Sequence, residues 1–248
     1  MSEMENKNFY DAASSFYDQM INFKKNLETR KAAFEKLFPE KGFAADLGCG
    51  TGVDSIALAM NGHTVLGVDP SSNMLETAKL NSKIYSQKIS FLESTILSVP
   101  QTYNSKFNYV ISLGNTFANV EGTTIYSTIQ SMYDMLAKGG KCIIHILNYT
   151  LISVQKERIV SIKPDENNYY VRFYDFANGQ IDFNILRFTK NNCSDYSLIT
   201  TQVYGYKKDL LTKIFDSVGF RDVNYWSNLD GAAFDINTSK DLFIYAVK

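Results

Sequence analysis

The stretch from residue 46 to residue 52 reads Asp-Leu-Gly-Cys-Gly-Thr-Gly, with glycines at alternate positions. A strand-like run, Phe43–Leu47, leads into it, and apolar residues at helical spacing follow it from Val53 to Met60. This order predicts a strand, a glycine loop and a helix. Glycine lets a backbone turn tightly and approach a ligand, and the start of a helix has free N–H groups, so we expect this joint to bind a ligand.

A second acid, Asp69, ends the next strand-like run, Thr64–Val68. An acid at that place can accept hydrogen bonds from both ribose hydroxyls of an adenosine. A dinucleotide site would require the pattern G-x-G-x-x-G, but position 53 is Val. The leading acid, Asp46, would also repel a pyrophosphate, whereas it would not repel a sulfonium with a methionine tail. The two acids therefore favour an adenosine ligand that carries a cationic centre.

Apolar runs alternate with helical periodicity from residue 43 to residue 147, which predicts a parallel sheet with right-handed crossovers. After Tyr149 the helical spacing of apolar residues gives way to strand-like segments. Three strand-like segments, 168–176, 181–190 and 196–206, are joined by turn-like residues and predict an antiparallel meander.

The remaining elements are predicted from local spacing and from glycine. Helices are expected at 9–21 and 24–38. A helix that begins near Ile125 is expected to stop at Gly139 and Gly140, and a last helix is expected to end at Gly219. Two further strands are expected at 222–227 and 241–247.

The composition disfavours several classes of protein. Among 248 residues, 25 basic and 26 acidic side chains give a net charge of −1, so no basic excess is present for a nucleic-acid backbone. Three unevenly spaced cysteines and two histidines predict neither a disulfide scaffold nor a metal site. No apolar run is long enough to span a membrane, and the first residues are polar, so a cytoplasmic location is expected.

The D-x-G-x-G-x-G loop, Asp69 and the late Gly219-Phe220 pair resemble the class I S-adenosylmethionine (SAM)-dependent methyltransferases, over about residues 40–147 and the last helix and strands. Gly50-Thr-Gly-Val-Asp-Ser-Ile56, Ser112-Leu-Gly-Asn-Thr-Phe-Ala118 and Asn148-Tyr149 are similar to the glycine/sarcosine N-methyltransferase group. The resemblance implies an α/β fold with a Rossmann-like seven-strand sheet, mostly parallel with an antiparallel last strand, and an antiparallel three-strand lid insert.

The same resemblance implies three regions. Residues 1–40 would form an N-terminal helical cap. Residues 41–150 and 207–248 would form the SAM-binding Rossmann-like core, and residues 151–206 would form an antiparallel lid over the substrate site.

The resemblance also implies the site residues. SAM, with S-adenosylhomocysteine (SAH) as product, would be bound by Asp46, Gly48, Cys49, Gly50, Gly52, Asp69, Pro70, Met74, Thr95, Ile96, Leu113, Gly114, Tyr17 and Arg30. The acceptor would be bound by Asn115, His145, Asn148, Tyr149 and Tyr204, with Asn115, Tyr204 and Tyr17 acting in catalysis. Alternatives stay open: Tyr17 can be a core residue, Lys24 can replace Arg30, and His145 can be structural.

One departure from the N-methyltransferase group affects the expected acceptor. At the end of the fifth strand that group has an arginine that holds an amino-acid carboxylate, whereas this chain has Leu147. A buried carboxylate without a cation is unfavourable. We therefore expect a less polar or uncharged acceptor, unless Arg172 or Arg187 of the meander replaces that arginine.

The expected function is methyl transfer from SAM to a small molecule, with an amine as acceptor. In-line transfer needs alignment rather than a nucleophile of the protein, which agrees with the lack of a triad or metal motif. Alternatives are a non-catalytic SAM- or nucleotide-binding module and an O-methyltransferase of a small metabolite. A nucleic-acid or protein methyltransferase is disfavoured, because the segment after strand four reads Gly114-Asn-Thr-Phe117. Either a monomer or a homo-oligomer is compatible with the sequence.

Overall fold

The computed structural model describes residues 3–177 and 179–248. Its main sheet has seven strands in the order β10-β11-β5-β4-β1-β2-β3. The strands are β1 (Phe43–Leu47), β2 (Thr64–Asp69), β3 (Ser90–Glu93), β4 (Phe107–Ser112), β5 (Leu136–Leu147), β10 (Arg221–Trp226) and β11 (Asp241–Val247). Only β11 runs antiparallel to its neighbours. The predicted seven-strand sheet with an antiparallel last strand is therefore confirmed.

Five helices pack on the two faces of this sheet. They are α3 (Phe23–Leu37), α4 (Val53–Met60), α5 (Ser72–Ile84), α6 (Ile125–Met135) and α8 (Lys208–Val218). One apolar cluster includes Met132 and Phe215, and the other includes Phe34 and Ile56. Because both faces are covered, the central strands are apolar almost throughout. This packing holds the carboxyl ends of β1, β2 and β4 together at one edge.

The end of α6 differs from the prediction. The helix ends at Met135, and Gly139 and Gly140 lie inside β5 rather than at a helix stop. Gly139 donates to the carbonyl oxygen of Lys248, and Lys248 donates to that of Gly140. Pairing with Lys248 thus keeps the two glycines in the strand, although Gly139 has φ of +76°. The prediction for Gly219 is confirmed, because this residue caps α8 with φ of +103°.

The predicted helix at 9–21 is broken in two. Helix α1 spans Glu3–Ala13 and α2 spans Tyr17–Ile21, and Asn22 in the left-handed region then starts α3. Phe9 of α1 and Met20 of α2 share a small apolar cluster with Tyr170 and Ile185. The break lets both short helices reach the second sheet.

The second sheet has four strands, so the predicted three-strand insert was incomplete. Helix α7 (Tyr149–Gln155) leads to β6 (Ile159–Pro164), β7 (Asn168–Ala177), β8 (Gln180–Thr189) and β9 (Asn192–Val203), all antiparallel in that order. The missed strand, β6, is a short edge strand that pairs only with β7. Its residues are half-buried or exposed, and it ends in a proline, so its local pattern is weak.

No helix among the described residues is long and apolar enough to cross a membrane. Within the same ranges, no group of three or more His, Cys, Asp or Glu side chains could hold a metal ion.

Candidate functional site

The glycine loop follows β1 and starts α4. The backbone N–H groups of Gly48 and Cys49 donate to the carbonyl oxygen of Val68, at 2.7 and 3.0 Å, which fixes the loop against the end of β2. Gly48 and Gly50 have φ of +76° and +52°. A Cβ atom added at Gly50 would meet nothing within 4 Å. This face of the loop is therefore open to a neighbouring cavity.

The cavity has a volume of about 310 Å³, which lies within the range of small-molecule sites. Its wall is built by the glycine loop, the ends of β2, β3 and β4, and the N-terminal helices. The predicted residues on this wall are Gly48, Cys49, Gly50, Asp69, Pro70, Met74, Thr95, Ile96, Leu113, Gly114, Tyr17, Arg30 and Tyr204. The wall also includes Asn6, Ile21, Asn26, Val53, Asp54, Thr116, Asn119, Val120, Glu121, Thr124, Thr128 and Gln202, which the sequence did not single out.

Asp69 is the central acid of the cavity. One carboxylate oxygen accepts from the backbone N–H of Gly50 at 2.8 Å, and the other accepts from that of Ser71 at 2.9 Å. The side chain is buried, and burial raises its pKa to about 6 although the two backbone bonds oppose this shift. Each oxygen keeps a lone pair for a further donor.

Arg30 and Asp54 lie on the wall at another place. The Arg30 Nε atom is 3.0 Å from Asp54 Oδ1, and burial raises the pKa of Asp54 while Arg30 opposes the shift. Within the described residues, this Oδ1 atom is buried and accepts no hydrogen bond of good geometry. The pair therefore presents a cation and an unsatisfied acceptor side by side. Asp54 was missed, although an acid in the first turn of a helix after a glycine loop is a local signal.

Asp46 and Gly52 lie behind the loop rather than on the wall. Asp46 accepts from the Ser55 hydroxyl at 2.6 Å and is fully buried, and burial followed by the nearby Asp54 charge raises its pKa. A Cβ atom at Gly52 would lie 3.2 Å from that of Ala78. Both residues hold the loop in place and do not face the cavity.

Asn115, His145, Asn148 and Tyr149 also lie off the wall. Asn115 accepts from the Leu147 backbone N–H and donates to the Tyr149 hydroxyl, both at 3.0 Å. His145 Nδ1 accepts from the Asn115 N–H, so Nε2 carries the proton and donates to Asp241 at 2.9 Å. These bonds fasten the end of β5 to the segment that follows β4.

Asn148 is equally engaged. Its side chain caps α7 by accepting from the Leu151 N–H, and it donates to the carbonyl oxygens of Ile236 and Ser239. Tyr204 does lie on the wall, and its ring stacks with that of Tyr206. Burial raises the pKa of Tyr204, and the nearby Glu121 charge adds to this shift. Of the predicted acceptor residues, Tyr204 therefore lies on the cavity wall. The other four lie off the wall and are held by hydrogen bonds.

The N-terminal helices close over the cavity through long-range bonds. The Tyr10 hydroxyl accepts from Asn119 at 3.0 Å, and Asp11 accepts from the Ser71 hydroxyl at 2.5 Å. Asn81 donates to Asp18 at 2.8 Å. No local signal reveals these partners, because each bond joins segments that are distant along the chain.

Residues 44–140 match the family model of the methyltransferase domain. A glycine/sarcosine N-methyltransferase of Aphanothece halophytica is 26% identical over 216 residues, covering 86% of this chain and 79% of that protein. A ubiquinone biosynthesis O-methyltransferase of Aromatoleum aromaticum is 23% identical over 230 residues, covering 89% and 93%. The solved structure of a SAM-dependent methyltransferase from Clostridium acetobutylicum has a TM-score of 0.78 at 16% identity, over 96% and 98% of the two chains.

The domain match over residues 44–140 and the fold agree, and together with the methyltransferase relatives they indicate a SAM-dependent methyltransferase. This confirms the class predicted from the glycine loop and Asp69. Within the class, similarity to the glycine/sarcosine N-methyltransferases extends over most of the chain. The match to a methyltransferase domain favours an enzyme over the non-catalytic binding module.

The cavity fits SAM on its own chemistry. Asp54 Oδ1 is a buried acceptor that lies 3.0 Å from Arg30 Nε and makes no hydrogen bond of good geometry among the described residues, so it can still accept from an ammonium group. Arg30 beside it suits a carboxylate. At Gly50 and Gly114 an added Cβ would meet nothing within 4 Å, so the backbone there is open to close approach.

The raised pKa of Asp69 predicts how donor binding depends on pH. The ionised carboxylate accepts hydrogen bonds, so a donor that binds this form must displace a proton when the pH is below about 6. We expect the SAH dissociation constant to be level above pH 6 and to rise toward tenfold per pH unit below it. Calorimetric titration from pH 5 to pH 8 measures this. Asp69→Asn should remove the slope, and an equal slope in both proteins would contradict the assignment.

Proposed function

We propose that this enzyme transfers the methyl group of SAM directly to the nitrogen of a small-molecule amine. The proposal is supported above all by the tyrosine hydroxyls around the cavity. Tyr10 and Tyr17 lie on its wall, and Tyr149 and Tyr174 lie behind. Burial is the largest cause that raises the pKa of all four, so these hydroxyls stay neutral and act as hydrogen-bonding groups.

Neutral hydroxyls suit an amine better than a hydroxyl acceptor. An alcohol or phenol must lose its proton to a base during methylation, whereas a neutral amine presents its lone pair without one. His145 cannot serve readily as that base, because its Nδ1 accepts from the Asn115 N–H and its Nε2 contacts Asp241. Asp54 is paired with Arg30.

The geometry of the wall supports the following assignment of the donor side. SAM supplies a methyl group that is already activated on a sulfonium. Asp69 binds the ribose hydroxyls, Arg30 binds the methionine carboxylate and Asp54 accepts from the ammonium group. The further contacts of the donor are with Gly48, Cys49, Gly50, Pro70, Met74, Thr95, Ile96, Leu113 and Gly114.

The chain accelerates the reaction chiefly by alignment, which can supply about 7–11 kcal/mol for two bound reactants. Tyr17 shares the cavity wall with Asp69 and Asp54, and it packs against the cluster that contains Tyr170 of β7. We assign Tyr17 to the acceptor's hydrogen-bond shell, and we assign Tyr204 to the cavity wall near Glu121. Residues 1–40 act as a cap that excludes water, and residues 151–206 act as a lid over the acceptor.

Asn115 serves as a positioning residue in this proposal, and it supports the tyrosines together with His145, Asn148 and Tyr149. Its amide joins the end of β5 to the Tyr149 hydroxyl, and Tyr149 in turn packs in the same buried cluster as Tyr174. The acceptor side therefore depends on a chain of buried groups. The donor wall uses other residues.

Replacing Asn115 tests this role. We expect Asn115→Ala to lower kcat about ten- to hundredfold, because two buried hydrogen bonds are lost, while the SAH dissociation constant changes less than about threefold. Asn115 has φ of +68°, so Asn115→Gly is the matched control that removes the same bonds without backbone strain. If both variants keep full turnover, Asn115 does not position the acceptor.

An O-methyltransferase is the second candidate. The Aromatoleum aromaticum relative is named as one and aligns with most of this chain. A panel of matched acceptors separates the two: methylamine and dimethylamine against phenol and 4-hydroxybenzoate, with SAH release as the readout. Methylation of amines alone supports the proposal, whereas methylation of phenols alone would overturn it. Donor binding is measured separately by calorimetry, so a silent panel is not mistaken for a protein without a donor site.

A further inference from the structure

Arg172 is a half-buried cation whose charge is not balanced by a carboxylate among the described residues. It lies on β7, on the face that also carries the buried Tyr170 and Tyr174. Its Nε atom donates to the Ser161 hydroxyl of β6 at 2.8 Å. Among the described residues, its guanidinium makes no other hydrogen bond and no ion pair. The N–H groups of its Nη1 and Nη2 atoms are therefore available to a ligand.

The other lid arginines differ in this respect. Arg158 pairs with Asp175. Arg187 is 3.4 Å from Asp195 and also donates to Asn168 and Ser197. The structure thus distinguishes the two arginines that the sequence left open, because Arg187 is occupied and Arg172 is not.

Other cationic side chains near Arg172 add to the excess of positive charge. Arg172 and Lys25 both lie close enough to Lys163 to lower its pKa, after the larger contribution of burial. Burial raises the pKa of the Tyr17 and Tyr174 hydroxyls by more than the Arg172 charge lowers it. Both hydroxyls therefore stay protonated and do not balance the charge of Arg172. A desolvated cation among further cations is unfavourable unless an anion joins it.

Arg172 also lies beside the acceptor side of the site. Tyr17 is on the cavity wall and packs against the cluster that contains Tyr170, one neighbour of Arg172 on this face of β7. Tyr174, the other neighbour, packs in the same buried cluster as Tyr149, which accepts from Asn115. Asn115 directly follows Leu113 and Gly114 of the wall. The cation thus adjoins the tyrosines that we assign to the acceptor, on the strands that we assign to the lid.

We propose that Arg172 binds a carboxylate of the acceptor, so the substrate is a small carboxylic acid rather than an uncharged molecule. This inference rests on the proposed function for the location of the acceptor. It revises the expectation drawn from Leu147, because the lid supplies from β7 the cation that is absent at the end of β5. The planar guanidinium can hold a carboxylate through two parallel hydrogen bonds.

Paired acceptors test the inference by turnover. Glycine is compared with methylamine, sarcosine with dimethylamine, and 4-hydroxybenzoate with phenol, so that each pair differs in the carboxylate. The acid of at least one pair is expected to exceed its partner in kcat/KM by tenfold or more. Arg172→Met should lower kcat/KM for that acid about ten- to hundredfold, mainly through KM, because a charge-assisted bond is lost.

The controls isolate the charge from the fold. Arg187→Met removes a similar side chain from the neighbouring strand and should leave the acid preference unchanged. Arg172→Lys keeps the charge without the planar fork and should recover only part of the preference. The SAH dissociation constant should stay within about twofold in all variants. Equal turnover of acid and partner, with no response to Arg172→Met, would overturn the inference.

A second readout does not depend on turnover. With SAH bound, sodium acetate is compared with sodium chloride at equal ionic strength, and the melting temperature is measured. Acetate should raise the Tm of the wild-type protein and of Arg187→Met but not that of Arg172→Met. An equal response in all three proteins would overturn the carboxylate site. If only 4-hydroxybenzoate is methylated, in an Arg172-dependent way, the amine proposal fails and the carboxylate site stands.

Discussion

Asp69→Ala is expected to raise the SAM dissociation constant roughly 30- to 700-fold, which corresponds to about 2–4 kcal/mol. The carboxylate is buried at the end of β2 and already holds the backbone N–H groups of Gly50 and Ser71. In the proposed donor site, its removal takes away the acceptor for the ribose hydroxyls. It also leaves two N–H groups without their partner, and one of them belongs to the glycine loop.

Calorimetric titration with SAM and with SAH measures this effect. Asp69→Asn keeps an acceptor oxygen but loses the charge, so its affinity should fall between those of the wild type and the alanine variant. Asp216→Ala changes an exposed acid on α8 and should leave donor affinity unchanged. A folded Asp69→Ala protein with wild-type affinity would remove Asp69 from the site.

Gly48→Ala is expected to impair both folding and donor binding. Gly48 has φ of +76°, and a left-handed alanine costs about 1–2 kcal/mol. The added Cβ atom would also lie 2.3 Å from the Thr116 Cγ2 atom and 2.7 Å from its Oγ1 atom. Relieving such an overlap costs about 1–3 kcal/mol more. Because Thr116 lies on the cavity wall, we expect the shift also to displace the proposed donor site.

Gly50→Ala is the matched comparison. It has the same kind of backbone strain, but its Cβ atom would meet no protein atom within 4 Å. We expect the smaller loss of unfolding free energy in Gly50→Ala, together with a large loss of SAH affinity, because the methyl group projects from the open face of the loop.

Chemical denaturation and SAH titration of the two variants separate the effects. The double variant Gly48→Ala, Thr116→Ala removes the overlapping atoms and should recover the packing part of the lost stability. The strain of the left-handed backbone should remain. If Thr116→Ala recovers nothing, the overlap is not the reason for the loss.

The tertiary structure alone decided several features around this site. Asn115, His145 and Tyr149 follow strand ends like the wall residues, yet their side chains turn to partners such as Leu147 and Asp241. Arg172 and Arg187 have similar sequence surroundings, but of these two only Arg187 pairs with a carboxylate among the described residues. The edge strand β6 exists because β7 offers it hydrogen bonds. Each outcome depends on contacts between residues far apart along the chain, which no local spacing encodes.

The sequence by itself determined the core of the protein. The strand, glycine loop and helix around Gly48 and Gly50 are contiguous, and backbone freedom at those positions depends on the residue alone. The acid Asp69 is likewise recognisable, because it ends a strand at a set place after the loop. The direction of a side chain and the identity of its partner require packed neighbours. For that reason the proposed donor site is largely legible in the sequence, whereas the proposed acceptor side depends on how the second sheet and the N-terminal helices pack around the cavity.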